Sequence, residues 1–239
     1  MQWRNSQEYR SICAERKADC DRLLRIGEDF LRTPHVEAHI RSSVQKFTYA
    51  SGGNIHRGPH CPSPVLDLLI GKLRRGRLLK RVTALSKVTH RFGLNASGSF
   101  VMCVEMSDNQ VRGTEYLFEL DTCRYGVAIN EDRELLAVSE EIFQDGKIVQ
   151  YKYLTVYPDE EGYFCADLHA EKYCYDEQGL CYSEKEYFEP YIDSFQRRCY
   201  YFKRENGYLA GYSASEFVGK ANEELRSPID YYISKKRKA

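Results

Sequence analysis

The stretch NIHRGPHC (Asn54–Cys61) brings His56, His60 and Cys61 close together on a glycine-rich loop. These residue types at short spacing hold zinc, or place a base beside a thiol nucleophile. A closed zinc site needs a second ligand pair, and no C-x-x-C or H-x-x-H supplies one; Cys174 and Cys181 merely flank a turn. No metal and no cofactor is therefore expected. His35 and His39 lie one helical turn apart. The intervening VEA lacks the glutamate that a helical metalloprotease needs after its first histidine, so both read as surface groups. Glu184 and Glu186 would share one strand face, but paired carboxylates alone do not define a reaction. Neither a nucleophile elbow nor a phosphate loop occurs, and no catalytic residue is assigned.

Charge offers a second kind of chemistry. The formal net charge is zero, yet residues 1–100 carry 18 Lys and Arg against 8 acids, and the remainder reverses the excess. Between Lys72 and Arg91 stand eight basic residues and no acid. Such a run can neutralise phosphates, which makes Arg74, Arg75, Arg77, Lys80 and Arg81 candidate nucleic-acid contacts. From Glu105 to Asp193 the balance is 22 acids to 7 bases, and this region also holds most of the 19 tyrosines. Tyrosine supplies rigid contact area with a polar tip, and acidic charge steers basic partners. Tyr163, Asp167, Glu171, Tyr173, Tyr175, Tyr182, Glu184 and Glu186 are the candidate partner-binding residues.

The elements that would position these groups follow from periodicity. Tyr9, Cys13, Cys20, Leu23, Phe30 and Leu31 recur at helical steps. A second helix opens at Thr33-Pro34 with Val36, Ile40, Val44 and Phe47 as its stripe, and a third runs from Ser63-Pro64 towards Leu73. From about Val82 the period becomes two, with turns such as QDGK, DEEGY, DEQGL and RENGY between β-rich runs. The hairpin turn DEQG separates Tyr173 and Tyr175 from Tyr182. SASEFVGKANEELRS reads as a closing helix, capped at Ser213 or Ser215 and stopped by Pro228. The expected fold is α+β: N-terminal helices packed on a long antiparallel β-meander sheet, with a short C-terminal helix. A basic helical region (1–80), an acidic tyrosine-rich sheet (81–214) and a C-terminal helix with a basic tail (215–239) are expected to form one unit.

The pattern Tyr173-x-Tyr175-Asp176-x-x-Gly179-Leu180, with Tyr187 beyond it, resembles the tyrosine–aspartate hairpin repeat of the bacterial Rhs family. YYFKRENGYL (Tyr200–Leu209) is similar to a degenerate second copy, with Lys203 in the aspartate position. The resemblance implies hairpins and a bacterial origin. It covers residues 173–209 and is too short to imply the large shell of that family.

No apolar run approaches the length of a membrane span, and the N-terminus lacks a secretion pattern, so a cytoplasmic protein with reduced thiols is expected. The expected function is that of a non-enzymatic bacterial interaction protein, of the immunity type, masking a basic toxin or nuclease through its acidic tyrosine-rich sheet. The alternative is a nucleic-acid-binding protein or enzyme using the loop 48–64 and the basic segment 72–91.

Overall fold

In a computed structural model of the chain, the described residues are 7–69, 72–84, 86–108, 110–160, 162–205, 208–218 and 229–238, without the side chains of 216–218 and 229–238. Among the described residues the α-helices are α1 (Gln7–Arg32), α2 (Pro34–Ser43) and the short α3 (Leu66–Leu69). The strands are β1 (Lys46–Ser51), β2 (Arg77–Leu78), β3 (His90–Leu94), β4 (Phe100–Ser107), β5 (Gln110–Leu120), β6 (Cys123–Ile129) and β7 (Leu135–Gln144). They continue with β8 (Lys147–Asp159), β9 (Gly162–Asp176), β10 (Gly179–Glu189), β11 (Ser194–Glu205), β12 (Tyr208–Val218) and β13 (Ile229–Lys238).

The expected α+β class is overturned: strand makes up 53% and helix 21%, so this is a mainly antiparallel β protein with a helical N-terminus. The long meander is present, but the closing helix is not. Ser213–Val218 belong to β12, where Tyr201 to Gln196 of β11 pair with them residue by residue; 219–228 lie outside the described residues, and 229–238 form β13. A partner strand already in register satisfies the backbone groups that face it, which outweighs the modest helix propensity of this segment. Strand also begins earlier than the change of period suggests. Phe47, expected on the stripe of α2, lies in β1. The third helix comprises Leu66–Leu69, and the described residues 82–84 and 86–89 are irregular up to the start of β3.

The chain divides into two compact units. One comprises Leu23–Glu141 and Val156–Phe164, the other Met1–Arg22, Ile142–Thr155 and Cys165–Ala239. In the first, strands run β2-β1-β3-β4-β5-β6, each antiparallel to its neighbours. Successive side chains on β5 point to opposite faces. Tyr116 meets the helices: Phe30 stacks on it with centroids 5.5 Å apart, and its hydroxyl donates to Glu37 Oε1 at 3.1 Å. Glu115 meets the loop Gly52–Leu69 on the opposite face. That loop is ordered and acts as a cover, with Ile55, Arg57, Cys61, Ser63 and Val65 all buried.

The second unit is built on β9 to β13, paired in chain order. Two hairpins have clear local causes. Asp145 and Gly146 both adopt left-handed φ (51° and 73°), the signature of a two-residue Asp-Gly turn. In DEQG, Asp176 Oδ1 accepts from the Gln178 amide at 2.8 Å. The first part of α1 packs here through Tyr9, Cys13 and Cys20, and through the buried Arg16. Among the described residues no helix is long and apolar enough to cross a membrane.

Candidate functional site

The loop that carries His56, His60 and Cys61 is held by its own arginine. Arg57 is 2% exposed, sits at φ 56°, and sends its guanidinium into the sheet of the first unit. Its Nε and Nη2 donate to Glu115 at 2.7 and 2.6 Å, Nη2 also to Ser139 Oγ at 2.7 Å, and Nη1 to Glu141. His56 Nε2 lies 2.9 Å from Glu115 Oε2. Gly126 makes the room: a β-carbon there would overlap Glu115 Oε1, Arg57 Nη2 and Ser139 Oγ. Burial alone would raise the Glu115 carboxyl, but the charges of Arg57 and His56, with their hydrogen bonds, hold it well below the usual carboxylate range.

This cluster works as a latch. Cys103 faces Glu115 directly across β4 and β5, yet burial pushes its thiol far up, away from a reactive thiolate. His60 packs against Phe92 and Phe100, with centroids 4.6 and 5.1 Å away, and burial followed by the Arg57 charge lowers its basicity. Cys61 is buried, and its carbonyl accepts from Arg75 Nη1 at 3.0 Å. Arg75 further binds Asp67 Oδ1 at 3.0 Å and the Ser63 carbonyl, so this candidate contact is turned inward as a loop brace. His35 and His39 are exposed on α2. Among the described residues no three metal-ligating side chains converge.

The basic segment behaves differently from the loop. Arg74, Arg77, Lys80 and Arg81 are all exposed, as are Lys72 and Lys87, which charge counting included without singling out. None of the six has an ion-pair partner among the described residues. Their backbone is nevertheless firmly held. Asn54 accepts from the Arg74 amide at 2.6 Å and donates to the Lys72 carbonyl at 3.1 Å. The Leu79 amide donates to the Tyr49 carbonyl at 2.8 Å and the Thr89 amide to the Ala50 carbonyl at 2.9 Å. The backbone is thus pinned side by side on β1 just before Lys80 and just after Val88.

On the acidic sheet of the second unit, burial separates the expected contact residues. Glu171 (1% exposed), Tyr173 (4%) and Glu186 (2%) are inside, a correction to their reading as an open surface. Their charges are engaged: Lys185 meets Glu171 at 3.1 Å, and Glu186 lies between Arg197 at 2.7 Å and Arg16 at 3.0 Å. Long side chains from α1 and the neighbouring strands compensate these buried carboxylates, a pairing that alternation along one strand does not reveal. Asp167, Tyr175, Tyr182 and Glu184 are half-buried, as is Tyr163 of the first unit, whose hydroxyl accepts from the Leu135 amide at 3.2 Å. Tyr182 donates towards Cys199 Sγ and Glu184, both at 3.1 Å.

Sequence reasoning missed the latch partners Glu115, Ser139, Glu141 and Gly126. It also missed Phe47, Tyr49 and Arg91 beside the basic loop. The only local sign of the second group is the aromatic pair in KFTYAS, directly ahead of the glycine-rich loop. Compared with known proteins, the chain matches no family model and no curated protein.

Proposed function

We propose that the protein is a nucleic-acid-binding protein whose contact surface is the exposed basic segment Lys72–Lys87. The observation that carries this reading is the contrast within one run of cations. Arg75 is turned inward and Arg91 lies on a ring, while the other six side chains are exposed with no ion-pair partner among the described residues. A run present only for solubility would have no need of a backbone clamped by Asn54 and β1. Preorganised cations lose little entropy on meeting phosphates, and each neutralised phosphate releases counterions. A basic partner on the acidic sheet has weaker support, because Glu171, Tyr173 and Glu186 are buried and their charges are met internally.

Titrating a labelled nucleic acid at increasing salt tests the reading. With about four phosphates neutralised, affinity should fall roughly 50-fold for a single strand and roughly 150-fold for a duplex between 50 and 200 mM salt. The double variant Lys80→Glu, Arg81→Glu should lose most of the binding and flatten the slope. Binding that ignores salt, or a charge-reversed protein that binds as well as the parent, would overturn it.

A further inference from the structure

We infer that Phe47, Tyr49 and Arg91 form a base-stacking platform, so that the nucleic acid bound is single-stranded; this rests on the nucleic-acid reading above. The register places the groups together. Phe47, Tyr49 and Ser51 alternate onto one face of β1, where Tyr49 lies opposite Arg91 of β3, Phe47 opposite Gly93, and Ser51 opposite Arg77 of β2. Phe47 is 39% exposed, and the Arg91 guanidinium carbon lies 5.0 Å from its ring centroid. Arg91 Nε is shielded from solvent, yet finds no acceptor among the described residues. A flat cation on an open ring, with a donor unmet, suits a ligand that brings both a π-face and acceptors.

The surroundings extend this strip. The carbonyls of Tyr49 and Ala50 anchor the two ends of the loop bearing Lys80, Arg81 and Lys87. Aromatic faces and exposed cations on a held backbone therefore share one edge of the sheet. A duplex keeps its base faces stacked internally and offers only phosphates and groove edges. A single strand exposes those faces, and a cationic groove with stacking aromatics is how such strands are held without regard to sequence.

Fluorescence anisotropy with a short labelled oligothymidine and a length-matched duplex separates this inference from the reading it rests on. The single strand should bind more tightly than the duplex. Phe47→Ala should weaken single-strand binding about tenfold and leave the duplex unchanged. Phe47→Leu, which keeps apolar bulk without a π-face, should behave like Phe47→Ala and guards against a folding artefact. Lys80→Glu, Arg81→Glu should weaken both ligands. Equal affinity for the two ligands, or a Phe47→Ala protein with unchanged single-strand binding, overturns the platform and leaves the wider reading intact. If neither ligand binds, both fall, and an acidic protein becomes the partner to seek.

Discussion

At the scale of single residues, the decisive feature is the absence of a side chain at position 126. Arg57 reaches Glu115, Ser139 and Glu141 only because Gly126 leaves a space in the sheet for its guanidinium. Gly126→Ala should break this arrangement. The added methyl would displace Arg57 and leave Glu115 buried without its cation, a class of change that costs about 3–5 kcal/mol. Denaturant unfolding should register that loss, and the loop Gly52–Leu69 should become the most protease-sensitive part of the chain. An unchanged midpoint would mean that the latch contributes little. None of this was legible in the sequence. A glycine within a strand signals a close approach but does not name the group that approaches, and Arg57 is about 60 residues from its nearest acidic partner.

At the scale of elements, the antiparallel hairpins were readable and the closing helix was misread, for related reasons. Asp145-Gly146 and Asp176–Gly179 carry their turn chemistry locally, so no distant contact is needed to place them. Ser213–Val218 carries a helix-start pattern, but β11 presents a row of unpaired backbone groups that the pattern cannot anticipate. Phe47 likewise fits a helical stripe by spacing, although α2 ends at Ser43. The first part of α1 has an unusual seat: its buried Arg16 faces Glu186 at 3.0 Å and Asp19 at 2.6 Å, while Lys152 also reaches Asp19 at 2.6 Å. Arg16→Leu should remove one of the two cations beside Glu186 and destabilise the protein by about 3 kcal/mol or more. Hydrogen exchange should show faster opening of the N-terminal turns of α1. If those amides kept their protection, Arg197 alone would suffice to hold Glu186.

For the whole molecule, buried ionisable groups make stability depend on acid. Burial, and then the charge of His56, lower His90 to about 4 from an ordinary value near 6.5. The unfolded chain therefore takes up this proton first. The stability that neutral His90 contributes is complete above about pH 6.5 and disappears as pH falls towards 4. Glu115 is also depressed, so its contribution persists to lower pH and is lost only once the unfolded carboxyl protonates, below about pH 4.3. Asp19 adds in the same sense: burial opposes its charge, but Lys152 and Arg16 more than offset that and lower its pKa. The melting temperature should fall from pH 7 to pH 5, and His90→Gln should lessen the fall in that window without altering the steeper loss below pH 4. A flat profile above pH 5 would show that His90 does not titrate with unfolding.

Local chemistry was enough to determine the hairpin turns, the helical start and the cluster of cations between Lys72 and Arg91, because each depends on neighbours a few residues apart. Which charges stay in water depended on tertiary structure. Burial brings residues from distant strands into one low-dielectric space, where Arg57 and Arg75 become braces, Glu171 and Glu186 are enclosed, and the cations from Lys72 to Lys87 remain outside.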